Sequence, residues 1–222
     1  MKKHSKRYQN VKIDGASQDL ESALALVKTN ANAKFNETIE AHINLNLDKK
    51  TGQVLRGNVI FPKKFGKTLS IWAFVSSEKI DKAKAAGAAK AGGEELVKEI
   101  ESSGKANFDL AVAEPSLMRA LAKVAKILGP KGLMPSPKNG TVSDKSIEAI
   151  KEFSAGKVSF KSDEAGILHQ TIGKADFSLE ELSANFKALM SEIERVRPES
   201  QKGVLKRSVY LTSTMGRSVK VL

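Results

Sequence analysis

The sequence predicts a discontinuous α+β domain built from the two ends of the chain, with a Rossmann-like, three-layer α/β domain inserted between them. Residues 38–47 alternate apolar and polar side chains with a period of two, the pattern of an antiparallel strand with one buried face. Residues 69–75 and 108–113 are instead nearly unbroken apolar runs, each followed by a helix-like stretch, as in parallel strands covered on both faces. After Gly156 the antiparallel pattern returns. The outer strands thus resemble one another and not the middle. That gives an α+β domain of residues 1–67 and 156–222 around an α/β insert of residues 68–155, the two joined by chain crossings that would act as a hinge.

The elements follow in order. A basic start, Met1–Tyr8, precedes an amphipathic helix with Leu20, Ala23, Leu24 and Val27 at helical spacing and Ser17 as its expected cap. In the strand over 38–47, Ile39, Ala41, Ile43, Leu45 and Leu47 face the core and Thr38, Glu40, His42, Asn44 and Asn46 face out. Val54–Phe61 reads as a second strand, ended by Pro62, and Lys63-Lys64-Phe65-Gly66-Lys67 as a basic crossing into the insert. Within the insert, 79–89, 94–102 and 116–128 are the expected crossover helices. Residues 129–141, G-P-K-G-L-M-P-S-P-K-N-G-T, hold three of the six prolines, so a shaped loop is required, functional in itself or docked on another element. Ser143 is expected to cap the helix after it. Val158–Lys161 and Ile167–Ile172 read as a hairpin about the turn 162–166, Leu179–Arg197 as a helix stopped by Pro198, and Arg207–Ser213 as the last strand.

Charge points to a polyanionic partner. The 222 residues carry 37 Lys and Arg against 25 Asp and Glu, a net +12. Residues 1–68 contribute 13 basic and 6 acidic side chains, 69–155 contribute 13 and 11, and 156–222 contribute 11 and 8, so the excess lies mostly in the outer thirds. There is no cysteine, which removes disulfides and thiolate chemistry and fits a reducing cytosol. No apolar stretch approaches a membrane span, so no membrane partner is expected.

Catalysis finds little support. His4, His42 and His169 have no ligand spacing, so neither a metal site nor catalytic residues are expected, and ordinary surface hydrogen bonding is the reading for His42 and His169. Gly66-Lys67-Thr68 lacks the second glycine of a phosphate-binding loop, Phe61 standing in its place, and Gly87, Gly92 and Gly93 form no dinucleotide fingerprint. No cofactor is expected. Nine Phe, two Tyr and one Trp include no aromatic pair for stacking bases on a strand platform, so contact with folded RNA through backbone, 2′-hydroxyls and shape fits better. Two rival readings are a cytosolic enzyme using the proline-glycine loop as a lid, and a DNA-binding repressor.

The loop 129–141, together with Phe35-x-x-Thr38-x-Glu40 and Ser208-x-x-x-Thr212-Ser213-Thr214-Met215-Gly216, resembles the L-one family of large-subunit ribosomal stalk proteins, bacterial type. Ser5-Lys6-Arg7-Tyr8 and Arg56-Gly57 extend the likeness over essentially the whole chain. The resemblance implies a ribosomal, cytoplasmic protein, monomeric when free, whose discontinuous domain binds folded large-subunit ribosomal RNA and forms the mobile stalk at the tRNA exit site. It implies further contact with exit-site tRNA, where Lys131 and Lys138 are candidates, and repression of translation through its own operon mRNA. Carried over by motif, the RNA-binding residues are Phe35, Thr38, Glu40, Ser208, Thr212, Thr214, Met215 and Gly216, with Lys34 and Lys161 as phosphate contacts. Phe35 reads equally as a core residue at a strand start. Arg217 stands where the family commonly has proline, and an extra phosphate contact is expected from it.

Overall fold

The computed structural model describes residues 17–47, 54–66, 69–197 and 203–221. The basic start, the crossing residues Lys67 and Thr68, and the stop at Pro198 lie outside them. The first half runs α1 (Leu20–Asn30), β1 (Thr38–Leu45), β2 (Arg56–Ile60), β3 (Ile71–Phe74), α2 (Ile80–Ala85), β4 (Lys90–Gly92), α3 (Glu94–Ser103) and β5 (Leu110–Ala113). There follow α4 (Met118–Leu121), α5 (Ala125–Leu128), α6 (Ser146–Ser154), β6 (Lys157–Lys161), β7 (Ile167–Lys174), α7 (Leu179–Arg195), β8 (Lys206–Ser213) and β9 (Val219–Lys220). The chain divides into two compact units, Met1–Phe65 with Ser159–Leu222, and Gly66–Val158.

In the first unit an antiparallel sheet has the order β7-β1-β8-β9, so the central strand from the amino-terminal segment is flanked on both sides by strands from the carboxy-terminal one. Side chains of β1 alternate without exception, Ile39, Ala41, Ile43 and Leu45 being buried and Thr38, Glu40, His42 and Asn44 partly open. Val209 and Leu211 of β8 continue the buried face. Helices α1 and α7 pack against each other, α1 also on β8 and β9 and α7 also on β7 and β2. Ala23, Leu24 and Val27 from α1, and Leu182, Leu189 and Ile193 from α7, are buried. The start of α7 is set by a capping box. Ser178 accepts from the Glu181 N–H (3.2 Å) while Glu181 accepts from the Ser178 N–H (3.1 Å), satisfying two donors that the helix start would leave open.

Two expectations for this unit are corrected. Ser17 does not cap α1, because the segment ahead of the helix runs beside the chain's other end. The Ser17 hydroxyl donates to the Val221 carbonyl (2.7 Å) and the Gln18 N–H to that of Lys220 (3.0 Å). Residues 157–174 form the turn but not the hairpin, since β6 pairs with β2 and meets β7 only at the single bridge Ser162–Leu168. Leu55 is the competitor. Its N–H donates to Ser162 Oγ (3.0 Å) and its carbonyl accepts from the Ser162 N–H (2.8 Å). The last paired strand, β9, was not anticipated.

The second unit has a parallel sheet, β4-β3-β5. All four residues of β3 are buried, and they split between two cores. Trp72 and Phe74 pack with Val97, Ile100, Phe108, Leu121, Val124 and Leu128 on one face. Ile71 and Ala73 pack with Ala83, Val112, Ile150 and Phe153 on the other. Helices on both faces of an unbroken apolar strand are what the sequence pattern requires. The helix expected to run to Ala89 ends at Ala85, and Gly87 at φ +108 turns the chain into β4. The stretch 116–128 is a succession of short α and 3-10 turns, and nothing in its sequence marks the breaks. Ser143 is no helix cap, since α6 begins only at Ser146. Residues 141–143 are still extended beside β5, with the Ala113 N–H donating to Thr141 O (2.9 Å) and the Ser143 N–H to Ala113 O (3.2 Å).

Candidate nucleic-acid interface

The strand face turned away from the helices carries polar groups in register. Glu40 lies between Thr171 of β7 and Thr212 of β8, His42 between His169 and Tyr210, and Asn44 between Ile167 and Ser208. Thr38 begins β1 opposite Lys174. The Lys174 ammonium donates to Thr38 Oγ1 (2.7 Å), placing a cation at this end of the face.

Just beyond β8, residues 213–216 close a tight turn in which the Gly216 N–H donates to the Ser213 carbonyl (3.1 Å). A Cβ on Gly216 would stand 2.3 Å from Ser213 Oγ, so a side chain there would require the Ser213 hydroxyl to move. The turn is fastened to the start of β1. The Thr38 N–H donates to Thr214 Oγ1 (2.9 Å), the Thr214 N–H donates to the Thr38 carbonyl (3.0 Å), and the Thr214 hydroxyl reaches that same carbonyl (3.3 Å). Thr214 therefore has a structural task in holding the turn to β1. Met215 beside it is 58 % exposed.

The loop joining α1 to β1 makes the other wall. Lys34 is exposed, and Phe35, for which a core position was an equal expectation, is 55 % exposed. Between the two walls sits Glu37, only 1 % exposed. Its carboxylate accepts from the Ala33 N–H (2.8 Å) and from the Met215 N–H (3.0 Å), and its carbonyl accepts from the Ala175 N–H (2.9 Å). Sequence reasoning passed over Glu37 and Lys174, since a lone glutamate in a polar loop and a lysine at a strand end give no signal until the tertiary partners are known.

The structure thus gathers Lys34, Phe35, Thr38, Thr214, Met215 and Gly216 at one corner, with Glu40 and Thr212 paired one row along. It does not bring all the expected residues together. Ser208 pairs with Asn44 at the far end of β1, six residues and roughly 20 Å from the Thr38 row at a strand rise of about 3.3 Å. Lys161 is exposed on the separate β2-β6 pair, beyond the β7 edge. Midway along the face, His42 Nδ1 and His169 Nδ1 lie 2.7 Å apart, with Glu40 3.9 Å from one ring and Asp163 3.9 Å from the other. Burial, then the neighbouring His169, lowers the His42 pKa below 6.5, and Glu40 opposes them.

In the second unit, at the carboxyl ends of β3 and β5, where open α/β sheets take ligands, the chain's own side chains bond to one another. Buried Glu114 accepts there from Lys79 Nζ (2.6 Å), the Ser76 N–H (3.2 Å) and the Ser146 hydroxyl (3.4 Å). Burial pushes the Glu114 carboxyl up, but the Lys79 ammonium and the Ser76 amide outweigh it and hold the group below its usual value. The loop 129–141 docks on its own unit: Leu133 and Met134 pack on the core around Trp72, and Pro135 is buried. Thr141 Oγ1 accepts from the Ser136 N–H (2.8 Å), closing the loop on itself. Lys131 is exposed, and the side chain of Lys138 lies outside the described residues. Among the described residues, no three His, Asp or Glu are placed to hold a metal ion, and no helix is long and apolar enough to cross a membrane.

A mixed α/β chain of two units, with a polar strand face ending in a Thr-Met-Gly turn, belongs to the ribosomal protein L1p/L10e family, which it matches over residues 26–217. That is a family of ribosomal proteins and not of enzymes. The chain is similar at 48 % identity over 224 residues to a large ribosomal subunit protein uL1 of Prochlorococcus marinus, covering all of this chain and 95 % of that protein. It is 49 % identical over 225 residues, with the same coverage, to the uL1 protein of Synechococcus sp. strain CC9311.

Proposed function

We propose that the protein is a structural constituent of the large ribosomal subunit, in the cytoplasm, and that it binds folded large-subunit ribosomal RNA through the corner where the start of β1 meets the Thr214–Gly216 turn. The observation that carries this reading is the exposure of both Phe35 and Met215, on segments tied to the same Glu37 carboxylate, near backbone and hydroxyl groups held in fixed geometry. Two large apolar side chains left in water at a rigid corner fit a surface that another molecule covers. In this reading Thr38 and Thr212 bond to phosphate and sugar, Glu40 accepts from a 2′-hydroxyl or base amine, Gly216 lets backbone approach closely, and Lys34 and Lys174 meet phosphates. Ser208 and Lys161 serve outlying contacts along the same RNA. The discontinuous domain of residues 1–67 and 156–222 is the RNA-binding one, the insert 68–155 moves on a hinge as the stalk at the exit site and meets tRNA through Lys131 and Lys138, and the free protein is a monomer that also represses its own operon mRNA.

The test separates positioning from charge. Affinity for a large-subunit RNA transcript is measured across a salt series for Lys34→Ala and Met215→Ala. Lys34→Ala should flatten the log-log salt slope by roughly 0.7–0.9, one phosphate, whereas Met215→Ala should weaken binding with the slope unchanged. Equal slope changes from both would contradict the assignment.

A further inference from the structure

Glu37 is too deeply buried to touch a partner, at 1 % exposure, yet its carboxylate is bonded to both segments that carry the corner's exposed side chains. Burying a carboxylate costs several kcal/mol unless hydrogen bonds replace its water, and the amides of Ala33 and Met215 do so from opposite sides. One donor belongs to the loop that carries Lys34 and Phe35, and the other is the backbone N–H of Met215 itself. A third link, the Ala175 N–H to the Glu37 carbonyl, joins the end of β7, which carries Lys174. The three segments bearing the corner's aromatic, thioether and ammonium groups therefore converge on this one residue.

We infer that Glu37 is a positioning residue for RNA contact: its carboxylate fixes the separation of Phe35 and Met215, and with it the width of the surface offered to the RNA. This rests on the reading of the corner as the RNA contact. A carboxylate is needed because each of its two oxygens must accept. A glutamine of the same shape keeps one acceptor and turns an N–H₂ group towards the second amide, so one wall is released while the other stays. A role in folding alone would affect stability without coupling to the exposed side chains, which gives the two possibilities different signatures.

Glu37→Gln, Met215→Ala and the double variant are compared in the full chain for binding to a large-subunit RNA transcript, with circular dichroism confirming the fold. Glu37→Gln should weaken binding at least tenfold on the scale of one lost charge-assisted hydrogen bond, leave the salt slope unchanged, and expose the Ala33 or Met215 amide to hydrogen exchange while Leu211 stays protected. The double variant should lose less than the product of the two single losses, because a displaced Met215 has less to lose. Should Glu37→Gln not fold, Ala33→Pro removes one donor with the carboxylate intact and should weaken binding in the same way. Wild-type affinity in Glu37→Gln, or losses that multiply fully, would overturn the inference while Met215→Ala still weakens binding. Unchanged binding in both single variants would overturn the RNA reading of the corner as well.

Discussion

With 2.7 Å between the two Nδ1 atoms, only one of the His42 and His169 rings can donate, so the pair is comfortable with one shared hydrogen and not with two. The groups facing it are Glu40 on β1, Asp163 ahead of β7 and Tyr210 on β8. Because the folded His42 titrates below its usual 6.5, the unfolded chain takes up its proton first as pH falls, and the contribution of His42 to folding stability declines once pH drops below about 6.5 and stops declining below the folded value. Urea midpoints at pH 7.5 and 5.5 should differ more for the wild type than for His42→Gln. Single side chains were legible in the sequence where a pattern or motif named them, as with Thr38, Thr214 and Met215. Glu37 was not, because what buries it is the backbone of a residue 178 positions away. Phe35 was ambiguous for a related reason, as an aromatic at a strand start is core or surface according to what the preceding loop does.

Helix α7 is bound into its unit by a side chain that no periodicity identifies. Asn185 is fully buried, its carbonyl oxygen accepting from the Lys63 N–H (3.0 Å) and its amide donating to the carbonyls of Lys63 (3.0 Å) and Ile172 (2.8 Å). It thereby joins the exit from β2 to β7 across the helix. Asn185→Ala strands those backbone groups and should destabilise by about 2 kcal/mol or more in urea denaturation, against about 1 kcal/mol for Ser178→Ala at the capping box. The elements that sequence showed clearly are those whose own residues carry the signal, a period in β1, α3, α7 and β8 and an unbroken apolar run in β3. The hairpin failed because pairing is decided between strands. The alternation in 157–161 says that a strand forms, but it does not say that Leu55 will claim it before Ile167 does. β4, three residues of Lys-Ala-Gly, is held by its neighbour and not by its composition, Val75 donating to the Gly92 carbonyl (3.0 Å).

Taken whole, the chain's positive excess sits in its outer thirds, and each of the two units carries an apolar interior of its own. If RNA recognition lies in the first unit, a chain with residues 66–158 replaced by a short linker should protect the same nucleotides of large-subunit RNA in a footprint, and loss of that protection would assign recognition to the second. Arg217→Ala belongs to the same scale. As a phosphate contact beside the turn it should flatten the salt slope by about one phosphate, and an unchanged slope would remove it from the interface. The composition and the change of strand grammar distinguish outer from inner segments in the sequence, since each grammar reflects how many faces a strand has covered. The pairing order did not follow from them, and it has a temporal consequence. Thr38 must wait for a partner 176 residues downstream, so the Thr214–Gly216 clamp cannot close until that turn has itself been made and has left the exit tunnel. A nascent copy that has not yet released the turn is therefore unable to engage RNA through this corner.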